Sequence, residues 1–105
     1  MIQRNLIILM LFLLMALNLN AQSITVMSYN IRLDVASDSL NRWDNRKDFL
    51  IGQLNFYEPE IFGIQEGLLH QLEEIKKGMA GYNYIGKGRE DGFKNGEFSA
   101  IFYNT

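Results

Sequence analysis

Ile61-Phe62-Gly63-Ile64-Gln65-Glu66 is a short apolar run that ends in two polar groups. It follows Pro59, and its length suits a buried strand better than a helix. What precedes it sets the architecture. From Trp43 to Tyr57, the residues Trp43, Leu50, Leu54 and Tyr57 fall on one helical stripe, widened by Phe49 and Ile51, while Arg46, Lys47 and Asp48 lie elsewhere. That pattern predicts an amphipathic helix closed before Pro59. Further upstream, Ser23 to Ile31 is rich in β-branched and aromatic residues, with Ile24 and Val26 on one alternating face and Met27, Tyr29 and Ile31 on the other. Apolar side chains on both faces predict a strand covered on both sides. Strand, crossover helix and strand make a βαβ unit, so the two strands should run parallel with their carboxyl ends together. The expected fold class is α/β.

Downstream, Leu68, Leu72, Ile75 and Met79 step at helical spacing, with Lys76 and Lys77 near the C-terminal end and Gly78 and Gly81 to stop the helix. Tyr82 to Ile85 and Phe98 to Tyr103 read as two more strands. Between them, residues 86–97 carry four glycines and six charged side chains and read as a loop longer than a hairpin needs, a length often functional or mobile. Arg32 to Asn41 lacks a sustained period and reads as a loop leaving the first strand. There are no repeats, low-complexity tracts or linkers. The sequence ends at Thr105 directly behind a strand, leaving a sheet edge unpaired, so we expect residues 22–105 to be the N-terminal portion of a larger domain.

The first residues are read differently. Met1 to Asn5 carries one positive charge, Leu6 to Leu17 is apolar throughout, and Asn18 to Gln22 is short and polar. This is the order of a secretory signal peptide over residues 1–21, with cleavage after Ala21 and Ala16 as a second option. The run falls short of the ~20 residues of a spanning helix, so no stable membrane anchor is expected after cleavage; an uncleaved anchor is the alternative. The protein is then exported, secreted or periplasmic. The sequence contains no cysteine, which rules out a lipid anchor on cysteine and stabilisation by disulfides. Formal net charge is −2, or −3 once Arg4 is removed, with no polycationic footprint for tight nonspecific binding of nucleic acid. Nothing in the sequence specifies an oligomeric state.

Asn30 and Glu66 are the candidate chemical residues, because each closes a buried strand whose carboxyl end faces the crevice of an open α/β sheet. A carboxylate beside an amide is hard oxygen chemistry suited to Mg²⁺, which takes one or two carboxylates and completes its shell with water and substrate phosphate. Each residue also has a plain structural reading. Asn30 could bond its own loop, and Glu66 could complement the dipole of the following helix. Arg89 and Glu97 are weaker candidates for contacting substrate from the long loop, which also contains Asp91; the bland reading is a solvated charged loop. Trp43 and Arg46 read as structural, the indole filling the sheet and helix interface and the guanidinium fixing the preceding loop. His70, the one histidine, is placed on the solvent side of its helix.

Met27-Ser28-Tyr29-Asn30-Ile31-Arg32 and Pro59-Glu60-Ile61-Phe62-Gly63-Ile64-Gln65-Glu66 resemble the first two signature segments of the endonuclease/exonuclease/phosphatase family, the DNase I-like phosphoesterases. The likeness extends to Arg42-Trp43-Asp44-Asn45-Arg46-Lys47, to Gly88-Arg89-Glu90-Asp91-Gly92 and to Gly96-Glu97-Phe98-Ser99-Ala100-Ile101-Phe102-Tyr103, which is similar to the exported bacterial branch. It covers essentially all of residues 22–105. Glu60 departs from it, since the family usually has aspartate after that proline. The resemblance implies the N-terminal part of a two-sheet sandwich flanked by helices, and hydrolysis of a phosphoester by metal-assisted attack of water. It implies Glu66 as direct ligand of Mg²⁺, with Mn²⁺ or Ca²⁺ as alternatives, and Asn30 as the residue orienting metal and phosphate. The family's later Asp-x-Asn segment and its Asp-His pair are not among these residues, so we expect this stretch to be inactive and poorly folded alone. The residues do not choose among DNA, RNA, phosphoinositide and sphingolipid substrates. A non-catalytic exported binding module on the same fold is the alternative function.

Overall fold

The computed structural model describes residues 1–17 and 21–105. An N-terminal helix, α1 (Ile2–Ala16), buries none of its residues. Among the described residues no helix is long and apolar enough to cross a membrane. The polar end of the expected signal peptide, Asn18 to Asn20, lies outside the described residues.

The remaining elements are β1 (Val26–Asn30), 3₁₀ turns over Ala36–Asn41, α2 (Trp43–Tyr57), β2 (Ile61–Gly67), α3 (Leu69–Gly78), β3 (Tyr82–Gly88) and β4 (Phe98–Asn104). They form a four-stranded sheet in the order β1-β2-β4-β3. β1 and β2 are parallel, with Val26 opposite Ile61 and Asn30 opposite Gln65, as the βαβ reading requires. β4 runs antiparallel to both its neighbours. β3 is therefore parallel to β2 and two places away from it, and α3 is a second crossover.

The expectation that both faces of the first strand are covered is corrected. The core consists of Phe62, Ile64, Phe98, Ala100 and Phe102 from the sheet, packed on Trp43, Leu50 and Leu54 of α2 and on Leu72, Ile75 and Met79 from α3 and its end. The opposite face, with Val26, Ile61, Ile85 and Ile101, is exposed. Chain handedness explains this. Both crossovers step in the same direction across the sheet, and right-handed connections that step the same way put their helices on the same face. This chain thus contributes a single sheet with helices on one side of it.

Within α2, Trp43, Leu50 and Leu54 are buried as the periodicity predicts, but Phe49 and Tyr57 are exposed. The sheet accepts a narrower stripe than the apolar residues offered. The helix closes on Glu58 in a left-handed conformation (φ 45°), whose amide donates to the Leu54 carbonyl, and Pro59 follows. Phe62 stacks on Phe102 with ring centroids 4.8 Å apart, which ties β2 to β4 at the centre of the core. Gly67 lets α3 lie close: a Cβ there would stand 2.4 Å from the Leu72 side chain.

Candidate functional site

Both candidate residues stand where the backbone leaves regular geometry. After Asn30 the chain turns sharply, with Arg32 in the left-handed region at φ 63°, and the Arg32 amide donates to Asn30 Oδ1 at 3.0 Å. β2 breaks register between Ile64 and Gly67, and Glu66 is itself left-handed at φ 63°. Register matters here because side chains alternate along a strand. Gln65 lies opposite Asn30 on the helix-free face, so unbroken alternation would send Glu66 to the other face. The bulge re-aims it. Asn30 Nδ2 donates to Glu66 Oε1 at 3.0 Å, and the Leu33 amide donates to Oε2 at 3.3 Å. Below this pair the strands stay locked, the Ile31 amide donating to the Gln65 carbonyl at 3.2 Å.

These contacts fix the charge state. The Asn30 amide, then the Leu33 amide, then the nearby Arg32 guanidinium hold the Glu66 carboxyl below the usual glutamate range, so it is ionised at neutral pH. Each of its oxygens keeps a lone pair free. The two plain readings fare differently. Asn30 does bond its own loop, through Oδ1, while its Nδ2 serves Glu66. Glu66 precedes the first residue of α3, Leu69, and its oxygens are engaged by Asn30 and Leu33 rather than by that helix.

The loop after β1 is held by three arginines. Arg32 makes a bidentate pair with Asp38, both contacts 2.8 Å. Arg42 reaches Asp34 at 3.3 Å. Arg46 donates to the carbonyls of Asn41 (2.6 Å), Ile31 (2.8 Å) and Arg32 (3.3 Å), which is the loop-fixing role its position suggested. Trp43 is fully buried, and its indole N–H donates to Glu74. His70 is half exposed, yet its Nε2 lies 2.9 Å from Asp34 Oδ2. Partial burial opposes ionisation of Asp34, but His70 and Arg42 outweigh it and keep the carboxyl low. Sequence reading missed this link, because helical spacing says which way His70 points and not which loop returns to meet it.

The long loop stands at the same end of the sheet, since Gly67, Phe98 and Gly88 share one register line. It is compact. Asp91 Oδ1 accepts the amides of Phe93, Lys94 and Asn95 within 3.0 Å, and the Gly88 position is so close to the Asn95 backbone that a Cβ would stand 2.2 Å from its oxygen. Arg89 and Glu97 pair with one another at 2.7 Å, Arg89 largely exposed. Both thus sit at the site's end of the sheet, bonded to each other rather than to Asn30 or Glu66.

Solved structures share this fold. The chain matches a mannosyl-6-phosphatase from Bacteroides thetaiotaomicron VPI-5482 at 46% identity and a TM-score of 0.75, over 79% of this chain and 32% of that one. It matches an endonuclease/exonuclease/phosphatase family protein from Bacteroides thetaiotaomicron at 45% identity and a TM-score of 0.77, over 80% and 30% of the two chains. A third, an endonuclease/exonuclease/phosphatase from Bacteroides vulgatus, matches at 37% identity and a TM-score of 0.70, over 77% and 30%. Endonuclease/exonuclease/phosphatase family proteins are thus its structural neighbours. It spans about a third of the length of the structures it matches. No family sequence model and no curated protein matches it.

The family resemblance read from Asn30 and Glu66 is thus supported by the fold around them. Glu60, the departure from the family wording, has a structural use: its Oε2 accepts the Thr25 amide at 2.6 Å and so anchors the chain entering β1. Among the described residues no three His, Asp or Glu side chains gather into a metal-binding group. One ionised, exposed carboxylate with free lone pairs fits a cation that needs few protein ligands and shares the rest with water and phosphate, as Mg²⁺ does.

Proposed function

We propose that the protein is a Mg²⁺-dependent hydrolase of phosphoesters. The observation that carries this reading is the Glu66 carboxylate, re-aimed by a bulge in β2 and held ionised by Asn30 at the joined ends of two parallel strands. Glu66 would hold the cation. Asn30 keeps the carboxylate oriented and, through its own bond to the Arg32 amide, keeps the β1 exit in place. A bound Mg²⁺ supplies charge neutralisation on the phosphoryl group as water attacks. Arg89 is the candidate phosphate contact from the long loop, with Glu97 holding it meanwhile.

A phosphomonoester of a sugar is the first substrate to try, because the relative at 46% identity is a mannosyl-6-phosphatase; phosphodiesters, including nucleic acid, are the alternatives. Export is part of the proposal: the apolar residues 6–17 and the polar stretch after them support removal of residues 1–21.

The test is hydrolysis of mannose 6-phosphate and of bis-p-nitrophenyl phosphate by the full-length protein, with Mg²⁺, with EDTA, and in Glu66→Ala. Turnover that needs the metal and is lost in the variant is the expected result. A folded protein with no turnover on these, or on nucleic-acid and lipid phosphodiesters, overturns the reading in favour of an exported binding module.

A further inference from the structure

Gln71 is the one buried polar side chain among the described residues, with no exposed surface. A primary amide in an apolar core is unfavourable unless its ends are bonded. Both ends of Gln71 are bonded, and to the backbone. Its Nε2 donates to the Arg32 carbonyl at 3.0 Å, and its Oε1 accepts the Leu68 amide at 2.9 Å. Arg32 lies two residues beyond Asn30, and Leu68 two residues beyond Glu66. One side chain on α3 thus joins the exit of β1 to the exit of β2, beneath the pair those exits carry.

We propose that Gln71 is a positioning residue for the Asn30 and Glu66 pair; the role in catalysis rests on the functional reading above. The hydrogen bonds within the pair are exposed, so water competes for them, and they are not by themselves a rigid link. Gln71 itself offers no surface to water, so water competes less for its two part-buried bonds. They hold the two left-handed turns, at Arg32 and at Glu66, in fixed relation, so that Asn30 Nδ2 and the Leu33 amide meet one carboxylate. Arg46 donates to the same Arg32 carbonyl at a longer 3.3 Å, and its other bonds go to the Asn41 and Ile31 carbonyls.

Two substitutions in the full-length protein separate this role from packing. Gln71→Met keeps the volume and removes both bonds; Gln71→Glu keeps an acceptor for the Leu68 amide, so α3 starts normally, and loses the amide donor to Arg32. In the metal-free protein, NMR resonances of the Asn30 side-chain amide and the Leu33 amide should shift in both variants. Hydrogen exchange at Leu33 should speed by about tenfold, with the β3–β4 hairpin unchanged. The Mg²⁺ concentration for half-maximal activity should rise by about 10- to 100-fold, with a smaller change in kcat at saturating Mg²⁺. Folded variants whose Asn30 and Leu33 resonances and exchange rates match wild type would overturn the proposal. A wild-type protein with no Mg²⁺ response would instead overturn the functional reading, because the resonances report the link with or without metal.

Discussion

Replacing Glu66 by glycine and by alanine should have the same effect on activity and different effects on stability. Glu66 is held at φ 63°, a conformation that is unfavourable for an L side chain by about 1–2 kcal/mol per residue and free for glycine. Alanine at this position keeps that strain and loses the bonds from Asn30 and Leu33. Glycine loses the same bonds but removes the strain, while its greater freedom in the unfolded chain offsets about 0.4–1 kcal/mol. The difference leaves Glu66→Gly more stable than Glu66→Ala by roughly 0.5–1 kcal/mol. Of the two lost bonds one is exposed and the other only part-buried, so both variants lose the same modest contribution and differ by the backbone alone. Urea unfolding of the full-length proteins measures this as a difference in midpoint at constant slope. Phosphoester hydrolysis should fall by at least about a hundredfold in both variants, as expected when a charge-stabilising group leaves a reaction centre. Glu66→Ala as stable as Glu66→Gly would refute the argument that the fold imposes the left-handed backbone at the cost of strain. Retained Mg²⁺-dependent activity in Glu66→Gly would refute the role of the carboxylate.

Other outcomes follow from the same contacts. The folded pKa of Glu66 lies below its unfolded value, so its stabilising contribution is full above the ordinary glutamate range and is lost as pH falls through the lower folded value. Asn30→Ala removes the largest cause of that depression, and a carboxyl-carbon NMR titration of Glu66 should move up toward the ordinary value; an unmoved titration would show that Asn30 does not set it. Arg46→Met takes the guanidinium donors away from three carbonyls and should destabilise the full-length protein by about 2 kcal/mol in urea unfolding, with Arg46→Lys recovering little, since a single ammonium cannot copy the planar fork. Gly88→Ala forces a Cβ against the Asn95 backbone and should raise amide exchange at Arg89 and Glu90, whose amides bond across the loop to Glu97 and Asn95; unchanged protection there would contradict the close approach. N-terminal sequencing of the exported protein should begin at Gln22, and an intact Met1 would refute cleavage.

Local pattern was enough for the elements and for the parallel pairing. Strand-like composition before Asn30, the helical stripe of Trp43, Leu50 and Leu54, and the apolar run before Glu66 specify a βαβ unit, because periodicity and crossover geometry are properties of short segments. The same reasoning put Asn30 and Glu66 at adjoining strand ends, and it found the structural roles of Trp43 and Arg46. It did not see that Val26, Ile61, Ile85 and Ile101 share an uncovered face, because which face a helix takes depends on the direction of each crossover. Nor did it see the bulge. Two residues that alternation assigns to opposite faces meet at 3.0 Å only because β2 loses register at Glu66. Helical spacing does not single out Gln71, whose bond to the Arg32 carbonyl depends on the β1 loop folding over α3. The sequence by itself determined which segments pair and which residues reach the end of the sheet, since those follow from local energetics. The tertiary structure alone decided that a carboxylate and an amide touch there, because that contact depends on backbone groups far apart in the chain being brought together and bonded.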